Sequence, residues 1–439
     1  MFWNDFSVIH IALKHENLMA IVLKNANYIN WQTLSFTKVH LLAEDGKDGK
    51  IRFLDTPEKF PTAVDVLDVD GGFVTKAFAV GHHHAYSALS RGMPAPKHTP
   101  HNFYEILKYI WWTLDKALDK DMVEASALAT AMACAKAGST FVIDHHASPN
   151  FIEGSLEIIA KAFEKVGVSH LLCYEITDRD GTDKARQGLD ETAAYLRNHQ
   201  GLVGLHASFT VSNETMKRAA GLMEKYRSGF HIHVAEDTYD EHDSLEKYGK
   251  HVVERLHDFG ALDSEKTILG HCLHVDENER ALIKNGKAWV VQNTESNLNN
   301  NVGFFRSEGL GERIMLGTDG MHSDMLRSAQ AAYFAGQPFD DIDFSEAYRR
   351  FRNVHKYLEN NAFEGDGENN LVVLDYDSPT EMNADNFLGH FLFGLRASHV
   401  KHVISDGEII VKDRKLQKVN EEEILAFTRE QGKRLWEKL

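Results

Sequence analysis

Four short stretches of the chain carry side chains able to grip a cation. "AVGHHHAYS" holds His82 and His84 separated by one residue, and "HIHVAED" holds His231, His233 and Glu236. "ILGHC" holds His271, and "LGTDG" holds Asp319 between glycines that let the backbone turn sharply beneath the carboxylate. In extended backbone, residues i and i+2 project to the same side. His82 and His84 therefore reach one ion while His83 faces away. Three imidazoles (His82, His84, His233) and one carboxylate (Asp319) leave a position for water and suit Zn2+, with Fe2+ the alternative. An ion held this way lowers the pKa of its water towards ~7 and makes hydroxide available at neutral pH. That is the chemistry of hydrolysis.

Each stretch alone has a bland reading. In a chain of 25 histidines an isolated HxH reads as chance or as a satisfied surface pair. "GTDG" alone reads as a turn, and "HVAE" alone says nothing. The combination carries the argument, because each group falls at the end of an expected strand.

Those strands come from a run of alternating textures. "GGFVTKAFAVG", "GSTFVID", "SHLLCYEIT", "GLVGLHASF", "GFHIHVAED", "KTILGHCLHV", "AWVVQNT" and "RIMLGTDG" are short and apolar. Amphipathic segments such as "SLEIIAKAFEKVG" and "SLEKYGKHVVERLHDFG" lie between them, each closing on a glycine as helices do. Strand–helix alternation of this kind makes a parallel (β/α)8 TIM barrel, with active groups at the C-terminal strand ends. Strand texture also precedes the barrel and returns after "FEGDGENN". The expected division is an N-terminal part of a small β-sandwich at 1–66, the barrel at 67–364, the rest of the sandwich at 365–419 and a charged C-terminal helix at 420–439.

Composition narrows the class. The 439 residues are 43% hydrophobic and 26% charged, ordinary for a globular protein. A net charge of −17 disfavours nucleic acid and anionic membrane surfaces, which would repel it. Cys134, Cys173 and Cys272 form no CxxC pair and sit in apolar runs, as thiols do in a reducing, cytoplasmic compartment. "MFWNDFSVIH" lacks the basic and apolar regions of a signal peptide.

Long runs resemble the amidohydrolase superfamily, in its deaminase and chlorohydrolase branch: "GHHHAYSALSRGMPAP", "VIDHHASPNFIEGSL", "LCYEITDRDG", "HIHVAEDTYDEHDSLEKYGKHVVERL", "SNLNNNVG" and "NLVVLDYDSP" among them. The resemblance implies that His82, His84, His233 and Asp319 bind the metal and that Asp319 also takes a proton. It implies Glu236 as proton shuttle, His271 as the group polarising water or substrate, and His206 as a substrate contact. Binuclear relatives carry a carboxylated lysine on the fourth strand; "LVGLHASFTVS" has none, which favours one ion.

Other positions stay open at this level. Arg91, Ser296, Asn297 and His322 are candidate substrate contacts, although an arginine at 91 equally well pins a loop. His145 and His146 are candidates for substrate contact or packing, and Trp111 and Trp112 read as helix packing, with substrate stacking as the alternative. Thr294 and Glu295 stand where relatives tend to have proline and arginine, and His322 where a smaller residue is expected. The implied activity is hydrolytic deamination of a small purine- or pyrimidine-like heterocycle. Dechlorination, opening of a cyclic amide or triazine, and a non-catalytic metal-binding barrel are the alternatives. The implied partners are substrate and water, with a homo-oligomer as the other candidate assembly.

Overall fold

The computed structural model describes residues 20–61 and 64–439. The stretch on which the signal-peptide expectation rests lies outside the described residues. Eight short parallel strands form within the expected apolar runs: β1 (Phe78–His83), β2 (Ser139–His146), β3 (Ser169–Tyr174), β4 (Val203–Ala207), β5 (Phe230–Val234), β6 (Ile268–His271), β7 (Trp289–Gln292) and β8 (Ile314–Leu316). Nearly every residue in them is buried. Parallel strands are covered on both faces, so they read as continuous rather than alternating apolar runs.

Ladders join β1 to β3 and β4 to β8, and two narrow seams close the ring. Between β3 and β4, the Leu202 N–H donates to Leu172 O at 3.0 Å and the His206 N–H to Ile176 O at 3.1 Å. Between β8 and β1, the N–H groups of Thr318 and Asp319 both donate to His82 O, at 3.0 and 3.1 Å. The second seam requires Gly317. A Cβ there would lie 2.9 Å from His82 Cβ and collide with Asn293 Oδ1.

Apolar side chains fill the N-terminal half of the barrel. Phe141, Leu171, Ile268, Trp289 and Met315 pack against Val354, Tyr357 and Leu358 of the helix Phe344–Asn360, which plugs that end. Polar groups are left to the opposite mouth.

The remaining strands form one nine-stranded sheet built from both ends of the chain. The two segments expected to form the sandwich share one hydrogen-bonded sheet, which branches at Ile21–Ile29: its first half pairs with Asp65–Asp68 and its second half with Phe73–Lys76. The run 71–81, expected as one barrel strand, divides between the two sheets. Phe73–Lys76 pairs with Leu371–Leu374 in the accessory sheet, and β1 starts at Phe78. Arg352 pins the switch point by donating to Lys76 O and Ala77 O at 3.1 and 3.0 Å. Beside it Lys76 pairs with Asp366 at 3.1 Å, and the His355 Nδ1–H donates to Asp366 Oδ2 at 2.8 Å.

Two helices refine the expectations. Ser155–Val166 ends at Gly167, φ 91°, as expected. The segment 244–260 is not one helix: Gly249 at φ 65° ends Thr238–Tyr248, and a second helix runs over Val252–Asp258. The C-terminal helix Glu421–Trp436 covers the flank of Lys120–Lys136 and ties to the segment after β1 through Trp436 Nε1, which donates to Leu89 O at 2.8 Å. Among the described residues no helix is long and apolar enough to cross a membrane.

Candidate active site

His82 and His84 project from the end of β1 into the C-terminal mouth, and His233 meets them from β5. His84 Nε2 lies 3.1 Å from His233 Nε2 and 3.3 Å from Asp319 Oδ1. The ligand atoms of His82, His84 and His233 fall within 4.8 Å of one another, as do those of His82, His271 and Asp319. His82 Nε2 is buried without a hydrogen-bond partner. Burial holds the imidazoles of His82, His84 and His233 below their ordinary value, so each is neutral and keeps a lone pair. A buried, convergent set of neutral imidazoles with one carboxylate fits a divalent ion.

Each ligand ring is oriented by its other nitrogen, as metal-binding histidines usually are. His84 Nδ1–H donates to His145 O at 2.6 Å, and His233 Nδ1–H to His206 O at 2.7 Å. His82 Nδ1 meets His231 Nε2 at 2.8 Å, which gives the first histidine of "HIH" a supporting role. His83 faces away, as the i, i+2 argument requires. Its Nδ1–H donates to Asp319 O at 2.7 Å, so the middle histidine clamps the turn that carries the carboxylate. Asp319 itself sits at φ 51° and accepts the Gly320 N–H at 2.6 Å. Ala235, His271 and Cys272 also have positive φ, at 45°, 67° and 52°. Unfavourable backbone at three strand ends is held in place by the closed barrel beneath it.

Glu236 and His271 complete the centre. His271 Nε2 lies 3.5 Å from Glu236 Oε2 and 3.5 Å from Asp319 Oδ2. Burial first, and the neighbouring Asp319 charge second, raise Glu236 well above the ordinary carboxyl value. It is an acid holding its proton beside a second carboxylate. The Nδ1–H of His271 donates to Asn297 Oδ1 at 2.7 Å. Asn297 is therefore a positioning residue for His271 and does not line the cavity, contrary to its expected substrate contact.

A cavity opens onto these groups. Ser296 and His206, the candidate substrate contacts, line it, and His206 is fixed by its Nδ1 on Thr210 Oγ1 at 2.7 Å. Arg91 is exposed beyond the segment Ala85–Ser90 and does not line the cavity. His322 also stays outside, with its Nε2 hydrogen-bonded to the Glu295 carboxylate. His145 is fully buried beneath the ligands and His146 bonds Ser148 Oγ at 2.8 Å, so both act in support.

Glu175, Arg179 and Asn300 line the cavity and were not singled out from the sequence. Glu175 and Arg179 follow β3, and Asn300, in the turn after β7, donates to Glu236 Oε1 at 3.5 Å. Trp112 forms one wall together with Trp111; a π-helical turn at Leu107–Trp111 brings both rings to the site. Behind them Asp115 pairs with Arg179, whose guanidinium stacks 5.1 Å from the Trp112 ring. The signal for Glu175 and Arg179 was a charged "EITDRD" immediately after an apolar strand.

The sequence pattern of the amidohydrolase family matches residues 74–350, which span all eight barrel strands and every ligand described above. The chain belongs to the amidohydrolase family. A 5'-deoxyadenosine deaminase from Methanopyrus kandleri is 28% identical over 420 residues, covering 89% of this chain and 94% of that protein. A 5-methylthioadenosine/S-adenosylhomocysteine deaminase from Thermoanaerobacter pseudethanolicus is 27% identical over 304 residues, 64% of this chain and 70% of its own length. Among solved structures, an adenosine deaminase from Xanthomonas campestris with bound zinc superposes with a TM-score of 0.80 at 18% identity, covering 95% and 98% of the two chains. The buried imidazole–carboxylate cluster at the C-terminal mouth of the barrel is a candidate metal site of this family member.

Proposed function

We propose that this amidohydrolase is an aminohydrolase that deaminates a small purine- or pyrimidine-like heterocycle, with His82, His84, His233 and Asp319 holding a single divalent ion, zinc in preference to iron. One observation carries the reading. Glu236, kept protonated, and Asp319, a candidate base, both lie 3.5 Å from His271 Nε2 at the floor of the cavity. Two carboxyl groups whose surroundings push them towards opposite protonation states are the pattern of an acid–base pair.

A divalent ion at these residues supplies acidity to a water, lowering its pKa towards ~7. Asp319 accepts the proton that water releases. Glu236 delivers its own proton to a ring nitrogen, which makes the neighbouring carbon electrophilic. Oxygen adds to that carbon, a second proton passes to the exocyclic nitrogen, and ammonia leaves. His271, held by Asn297, aligns the attacking oxygen. The absence of a lysine in β4 supports one ion over two.

The adenosine-type names of the relatives support the substrate class. The runs quoted above also resemble the aminohydrolase called SsnA, and we assign the chain to that type. A cytoplasmic location is supported by three buried free cysteines. Substrate and water are the proposed partners, with a homo-oligomer as the proposed assembly.

The test is ammonia release from a panel of amino-heterocycles, with metal analysis of wild type and Glu236→Gln. The reading requires metal in both proteins and turnover in wild type alone. Metal without turnover in either would leave a binding protein; chloride release or ring opening in place of ammonia would move the activity to another branch.

A further inference from the structure

Glu236 stands directly after Ala235, whose φ of 45° is disfavoured for any residue but glycine. Such a conformation persists only where its surroundings over-determine it. The Ala235 peptide groups are held on both sides. Its N–H donates to Asp240 Oδ2 at 3.0 Å, and its C=O accepts the N–H groups of Leu273 and His274 at 3.2 and 3.0 Å. Asp240 Oδ1 accepts a second backbone N–H, that of Phe209, also at 3.0 Å.

These partners come from three strand ends. Phe209 lies in the turn Ser208–Thr210, just beyond His206 and β4. Ala235 follows β5, and Leu273 and His274 follow His271 at the end of β6. Asp240 reaches them from the first turn of the helix Thr238–Tyr248 and is 3% exposed. One buried carboxyl group thus ties together the turns that carry His206, Glu236 and His271. Both of its oxygens are engaged by backbone, so it acts through those turns rather than on a substrate. An aspartate suits the place because it accepts at both oxygens; an asparagine would turn its NH2 against one of the two N–H donors.

We propose that Asp240 is a positioning residue for the proton transfer: it fixes the Ala235 peptide, and with it the direction in which Glu236 presents its carboxyl group. This rests on the aminohydrolase reading, in which Glu236 is the acid. Misplacing a reacting group by about 1 Å can cost about 100-fold in rate.

The test compares Asp240→Asn with its parent as metal-loaded holoenzyme, once with Glu236 intact and once on Glu236→Gln. With Glu236 intact, kcat for ammonia release should fall by ~10–100-fold, with KM within about threefold and the metal retained. On Glu236→Gln the same substitution should cost less than about threefold, because the group it positions is already gone. A merely structural role would lower the rate equally in both backgrounds. Asp243→Asn, on the same helix but paired with Lys247 at 2.7 Å, is the control and should leave kcat unchanged. Asp240→Ala repeats the comparison if the asparagine variant does not fold. Crystal structures add a readout that needs no turnover: the Glu236 carboxyl group should shift by about 1 Å while His82, His84 and His233 stay in place. Equal losses in both backgrounds, no loss, metal release, an unmoved Glu236 or failure of both variants to fold would overturn the proposal. A displaced Glu236 in a protein whose wild type releases no ammonia would remove the aminohydrolase reading and leave the role of Asp240 standing.

Discussion

Glu295 and His322, 27 positions apart, meet at the rim of the cavity, where His322 Nε2 is hydrogen-bonded to one carboxylate oxygen and the Arg327 Nε–H donates to the other at 2.7 Å. Two of the three unexpected residues of the sequence are thus partners of each other. Neither touches the metal ligands, which places them in the structure of the rim. His322→Ala should change kcat/KM less than tenfold, leave metal content unchanged and lower stability by about 1 kcal/mol, the scale of one side-chain hydrogen bond. Loss of metal on this substitution would instead make His322 a ligand.

Glu236→Gln keeps the size of the side chain and removes the acid. Turnover should fall by ~10²–10⁴-fold, the usual contribution of a general acid or base. Metal content should match wild type, because Glu236 is outside the ligand set. A variant with more than half of the wild-type rate would show that another group moves the proton.

Asn297→Ala should free the His271 ring, whose Nδ1–H it accepts at 2.7 Å. The expected loss is ~10–100-fold in kcat, as for other partners that orient a histidine at a metal site. KM and metal content should hardly move, whereas a substrate contact would raise KM. Steady-state kinetics separates the two outcomes.

Asp366 couples folding to pH at the junction between the sheets. Burial opposes its charge, but His355 and the Lys76 ammonium outweigh burial and lower the carboxyl from 3.8 to about 2. A lowered carboxyl stabilises the fold fully above the unfolded value near 3.8, and that contribution is lost as pH falls towards about 2. The shift amounts to about 2 kcal/mol. Urea unfolding of chelator-treated protein between pH 5 and 2.5 should show this loss, and Asp366→Asn should flatten that part of the curve. An unchanged slope in Asp366→Asn would mean that other carboxylates set the acid limit.

Much of this centre was legible because strand geometry is so regular. The i, i+2 rule placed His82 and His84 together and turned His83 away, and apolar runs ending in His233, His271 and Asp319 marked the mouth. What stayed hidden depends on neighbours distant in sequence. Asn297 looks like a loop asparagine until His271 is seen to donate to it. Glu175 and Arg179 read as a solvated turn, yet the walls formed by Trp112 and Asp115 bury them. The run 71–81 reads as one strand because both of its halves are apolar and extended; only pairing assigns Phe73–Lys76 to the accessory sheet. Gly249 ends a helix that amphipathic spacing alone carries through.

The central claim, that these side chains gather on one divalent ion, is tested most directly by anomalous diffraction at the zinc edge from metal-replete crystals. The expected result is a single peak about 2.0–2.2 Å from the facing nitrogens of His82, His84 and His233 and from an Asp319 oxygen. A map with no peak there, or with these side chains turned away from one another, would contradict it.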